Sequence, residues 1–83
     1  ARAGGRSAAR AARKEIQRLE KALERAGARE AELHQAMASS ATDHTRLREL
    51  QPELAAQVAE RERLEAAWLQ TAELLEDCHS EMA

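Results

Sequence analysis

The stretch Ala38-Ser39-Ser40-Ala41-Thr42-Asp43 holds no large apolar residue and four hydroxyl or carboxyl side chains. It divides two runs of strong helix formers and reads as a turn, with Ser40, Thr42 or Asp43 able to cap the helix that follows. On its N-terminal side, apolar residues fall at Ala9, Ala12, Ile16, Leu19, Leu23, Ala26, Leu33 and Met37. With Glu30 filling one gap, the steps alternate between three and four, which is a heptad seam. On its C-terminal side a second apolar set runs Leu47, Leu50, Leu54, Val58, Leu64, Trp68, Leu75 and Cys78. The steps from Leu47 to Val58 make an eleven-residue spacing, which relaxes a left-handed supercoil locally. Pro52 lies in this run and lacks the N–H that a helix interior uses, so a kink or short break is expected near Leu50-Gln51.

Two long helices joined by a short turn fold back on each other. The expected fold is all-α: an antiparallel two-helix coiled-coil hairpin, its second helix kinked or broken near Pro52. The boundaries read as a flexible lead-in over 1–6, because of Gly4 and Gly5; helix one over 7–38, from a Ser7 cap; a turn over 39–43; helix two over 44–79; and a frayed end over 80–83. About thirty residues per helix give an arm of about 45 Å. Even fold-back sets Leu19 by Leu64 and Ile16 by Trp68, and brings Arg10, Arg13 and Lys14 beside Glu73, Glu76 and Asp77.

The composition agrees with this reading. Of 83 residues, twenty are Ala and ten are Leu, with one Trp and neither Phe nor Tyr. Sandwiches, barrels and α/β domains need β-branched and aromatic residues that are missing here. One domain at most fits, without room for an enclosed active site, and it reads as a piece of a larger protein. No apolar run approaches the ~20 residues that cross a bilayer, so no membrane is expected as a partner. The single Cys78 fits a reducing, cytoplasmic compartment.

Candidate chemistries are few. No Gly-rich phosphate loop is present, since Gly4-Gly5 is not followed by the lysine such a loop needs. His34, His44, His79 and Cys78 are too few and too scattered for zinc, which takes four ligands or three and a water. Cys78 falls on the apolar face, where it is a small hydrophobe and not a nucleophile. Trp68 sits on the seam and reads as packing before it reads as a base-stacking platform. Charge carries the strongest signal. Residues 1–29 hold nine basic and three acidic side chains, whereas residues 30–83 hold four basic and twelve acidic. The basic front half suits contact with nucleic-acid phosphates without sequence readout. The candidate contacts are Arg2, Arg6, Arg10, Arg13, Lys14 and Arg18. Pairing with the acidic second helix is the competing account of Arg10, Arg13 and Lys14.

The pieces Ala11-Ala12-Arg13-Lys14-Glu15-Ile16-Gln17-Arg18-Leu19-Glu20, Glu32-Leu33-His34, Ala41-Thr42-Asp43 and Trp68-Leu69 with Glu73-Leu74-Leu75-Glu76 together resemble the C-terminal coiled-coil domain of bacterial ABC-F ATPases. The likeness covers most of residues 11–76, and Pro52 departs from the pattern. The resemblance implies a soluble parent protein with two ATP-binding cassettes that acts on the ribosome in translation. ATP and magnesium would be bound upstream, with no cofactor in this segment. It also implies a non-catalytic arm that touches ribosomal RNA, DNA or ribosomal protein. Two alternatives stand beside it. One is a structural dimerisation coiled coil, a weak homodimer in which a second hairpin covers the alanine-rich seam around Glu30 and Arg61. The other is an arm like the tRNA-gripping arm of seryl-tRNA synthetase.

Overall fold

The computed structural model describes the backbone of residues 2–82 and the side chains of residues 5–78. It contains two helices, α1 over Arg2–Ser39 and α2 over His44–Met82, packed against each other along their length as an antiparallel hairpin. The molecule is a rod of 61 × 15 × 14 Å.

Local hydrogen bonds explain the turn. The Ser40 N–H donates to both the Ala36 and the Met37 carbonyls at 3.1 Å, which tightens the last turn of α1. The Asp43 N–H then donates to the Ser40 carbonyl at 2.8 Å. Of the three candidate caps, Asp43 acts: its Oδ1 accepts the Arg46 N–H at 3.0 Å, and its carbonyl accepts the Leu47 N–H at 3.0 Å. One otherwise orphaned donor at the start of α2 is thereby satisfied. No described residue other than glycine takes a positive φ, and no glycine does either. The reversal therefore needs no glycine.

The core is a single seam. Ala9, Ala12, Leu19, Ala26 and Leu33 of α1, with Leu50 and Leu64 of α2, are its buried residues. Ala22, Leu23, Ala67 and Trp68 pack against the cluster of Leu19, Ala26 and Leu64. In α2 the half-buried Gln57, Arg61 and Thr71 fill the gaps between the apolar residues. The steps from Leu47 to Cys78 consequently alternate three and four throughout, and the eleven-residue spacing ending at Val58 gives way to a regular heptad.

Three expectations are corrected. First, α1 starts at Arg2 and not at Ser7, so the lead-in expected over 1–6 is helical from Arg2. Second, α2 reaches Met82, past the expected end at 79. These extensions make the rod longer than 45 Å. Third, α2 runs through Pro52 without a break. Pro52 is exposed and stands on the side of α2 away from Leu50 and Leu54. The carbonyl it leaves without a donor, that of Arg48, is therefore on the solvent side. Two helices with Cα radii of about 2.3 Å and axes about 8–10 Å apart measure about 13–15 Å across. That accounts for one of the two short dimensions; two flat, straight helices would measure only about 5 Å in the other, so the observed 14 Å shows that the pair winds or bends along its length.

Gly27 sits on the exposed side of α1, and a Cβ added there meets no atom within 4 Å. Gly27→Ala is expected to stabilise the hairpin by about 0.5–1 kcal/mol, through helix propensity alone. Thermal unfolding followed by circular dichroism reads this as a higher midpoint.

Candidate nucleic-acid interface

The seam fixes which side chains face outward. With Leu19, Leu23 and Ala26 turned inward, heptad spacing places Arg10, Lys14, Arg18, Lys21 and Arg25 on the opposite side of α1. All five are exposed. From residue 10 to residue 25 the stripe runs about 22 Å along the helix. A DNA duplex carries a charge every ~1.7 Å of its axis, so the stripe faces many phosphates at once.

The predicted contacts divide between this stripe and its flank. Arg10, Lys14 and Arg18 lie on the stripe. Arg6 and Arg13 are exposed but stand nearer the contact with α2, and Arg13 is engaged in an interaction of its own. The Arg2 side chain lies outside the described residues. Arg18 is tied to Glu15 by two hydrogen bonds, from Nε at 2.5 Å and Nη2 at 2.8 Å. That contact raises the Arg18 pKa and lowers the Glu15 carboxyl below its ordinary 4.5, chiefly through the side-chain hydrogen bond itself. Glu15 therefore favours the folded state above its ordinary pKa, and this contribution fades as pH falls through the lowered value. Lys21 and Arg25 were missing from the predicted set. Their signal was present in the sequence: each follows a predicted contact, Lys14 or Arg18, by one heptad.

For Arg10 and Lys14 the expected pairing with the acidic rear does not form. Among the described residues, Arg10 and Lys14 make no ion pair with Glu73, Glu76 or Asp77. These acids are exposed and face away on the far side of α2. The reason is geometric: residues at the same level of a hairpin meet only if both lie on or beside the seam.

Cross-helix polar contacts occur instead at the seam. Arg61 Nε donates to Glu30 Oε2 at 2.5 Å, and its Nη1 to Glu65 Oε1 at 2.8 Å. The Glu30 side chain is 14% exposed and that of Arg61 34%. The hydrogen bond that Arg61 donates to Glu30 leads the causes that raise the Arg61 pKa. The Trp68 indole N–H lies 3.4 Å from Glu20 Oε2. Even fold-back would set Trp68 at Ile16; it meets Glu20, about one helical turn on. Antiparallel heptads face the Leu19 position with that of Trp68, which packs against the cluster holding Leu19, so the helices themselves pair about three residues beyond even fold-back.

Other chemistry finds little support. Among the described residues no three His, Cys, Asp or Glu side chains group as metal ligands, and His34 and His44 are exposed. No described helix is long and apolar enough to cross a membrane. A shallow hollow beside Leu74, lined also by Gln70, Glu73 and Asp77, opens on the outer side of α2. Compared with protein-family models, curated proteins and solved structures, the chain matches none of them.

Proposed function

We propose that the hairpin is a non-catalytic binding arm that lays the outer face of α1 on nucleic-acid phosphates. The observation that carries this reading is the row of five exposed cations at Arg10, Lys14, Arg18, Lys21 and Arg25. Long flexible cations on a straight helix suit phosphate contact without base readout. The outer face of α2 carries Glu73, Glu76 and Asp77 level with Arg10 and Lys14, so a polyanion is attracted to the α1 side of the rod there and repelled from the α2 side. The resemblance of residues 11–76 to the ABC-F C-terminal domain supplies the context we propose. In that context the arm belongs to a cytoplasmic ATPase working on ribosomal RNA, or on nearby ribosomal protein, in translation. Dimerisation through the seam has less to recommend it, because Glu30 and Arg61 satisfy each other within one chain.

Fluorescence anisotropy with labelled duplex DNA and duplex RNA tests the proposal. Five phosphate contacts give a slope of about −4 to −5 in log K against log salt on B-DNA. Absence of binding at low salt, or binding indifferent to salt, would overturn it. The family context is tested separately by the coding sequence upstream of Ala1, where two ATP-binding cassettes are expected; their absence would remove that context and leave the binding reading to the salt titration.

A further inference from the structure

We infer that hairpins associate side by side, the basic outer face of α1 in one copy docking on the acidic outer face of α2 in the next. The occupant of the α2 face is thus a second copy of this chain. The surface on α2 is Glu73, Glu76 and Asp77, with Leu69 one turn below Glu73 and Leu74 at the edge toward the seam. Leu69 and Leu74 are the exposed large hydrophobic residues of the described chain, at 56% and 60%. Leu74 edges the hollow that Glu73 and Asp77 also line. A row of carboxylates edged by leucine suits a lysine or arginine, whose stem covers the leucine while its charged end reaches the acid.

The chain itself carries the complementary surface, at the matching height. Glu20 and Trp68 stand side by side. Counting down α1 and up α2 from that pair brings Lys14 level with Leu74 and Arg10 level with Cys78. Sliding one hairpin sideways, without rotation or vertical shift, therefore sets Lys14 beside Glu73 and Arg10 beside Glu76 and Asp77 of its neighbour. The touching helices run antiparallel in this arrangement, so their dipoles also attract. Within one hairpin these charges face away from each other; between two hairpins they meet. The two patches lie on opposite sides of the rod, so the contact is heterologous and does not close. Mass is expected to rise with concentration beyond the dimer.

The inference uses the cationic face of α1 but not its binding to nucleic acid, and the two can fail separately. Sedimentation velocity over a wide concentration range tests it at about 0.1 M and about 1 M salt, where charges are screened beyond about 10 Å and about 3 Å. Association is expected at the lower salt and loss of it at the higher. Two triple variants, E73K/E76K/D77K and R10E/K14E/K21E, change exposed positions only and are checked for helicity first. Each alone is expected to be monomeric, the first with two basic faces and the second with two acidic ones. Mixing the two restores association, since basic and acidic faces again alternate. The E73K/E76K/D77K variant retains nucleic-acid binding, which separates this test from that of the binding arm. A wild-type monomer throughout would overturn the inference. So would association that survives high salt or either triple variant, because that pattern belongs to exchange of helices through the seam or to a contact elsewhere. Failure of the mixture to associate would overturn it as well.

Discussion

Replacing Leu19 with alanine is expected to unfold most of the hairpin. Leu19 is 1% exposed and sits in the central cluster with Ala26 and Leu64. A leucine-to-alanine change at such a site costs about 2–5 kcal/mol, through lost burial and the cavity left behind. A domain of this size rarely draws more than about 3–5 kcal/mol from its core, so one substitution removes most of the margin. Two further features deepen the effect. Alanines fill much of the α1 seam, so few large side chains remain to share the loss. The polar stretch of Gln57 and Arg61 flanks the cluster and cannot collapse into a cavity without parting Arg61 from Glu30. Far-UV circular dichroism should show Leu19→Ala largely unfolded, or with a midpoint lowered by many degrees. Leu69→Ala, at a residue 56% exposed, should change the midpoint little. Equal effects from the two would mean that the seam is elsewhere.

The second large effect concerns binding. The triple variant R10E/K14E/K21E removes three cations from the stripe and puts three anions in their place. If each lost charge-assisted contact is worth about 1.5 kcal/mol, affinity for duplex nucleic acid falls roughly a thousandfold. Each lost phosphate contact also takes about 1 from the salt slope. The fair comparison is R29E/R46E/R48E, which makes the same change in net charge near the turn end. Arg29 and Arg46 are exposed and held by Glu32 and Glu49, each at 3.2 Å. That variant should bind within a few-fold of the parent. Similar losses from both would reduce the interaction to overall charge and remove the stripe as a site.

Much of the hairpin was legible in the sequence because turn chemistry and heptad spacing are local signals. Ser40, Asp43 and the leucines on either side marked the reversal without reference to anything distant. The seam through Gln57, Arg61 and Thr71 was harder to see. A search for large apolar residues passes over polar ones, and it chose Val58 where the regular step falls on Gln57. The start of α1 was misread for a related reason. Gly4 and Gly5 each cost about 1 kcal/mol relative to alanine, but no proline follows to stop the helix, and Ser7 makes no capping bond among those described. Pro52 misled in the same way: an interior proline costs about 3 kcal/mol, yet the deprived carbonyl faces water and α2 continues through it. The stripe was half legible. Charge counted by segment found the basic front, but only heptad position separates outward Lys21 and Arg25 from Arg6 and Arg13 beside the neighbouring helix. That blindness to facing also produced the expected pairing of Arg10 and Lys14 with Glu73, Glu76 and Asp77.

Every functional statement depends on the front half doubling back along the rear half. The most direct measurement is the distance between spin labels at Gln17 and Gln70, both exposed. Cys78 would be replaced, and labelled chains diluted with unlabelled ones so that only distances within a chain are read. Adjacent helices with outward side chains put the labels roughly 15–25 Å apart. A single continuous helix would hold them about 80 Å apart, and that result would contradict the hairpin together with both interfaces built on it.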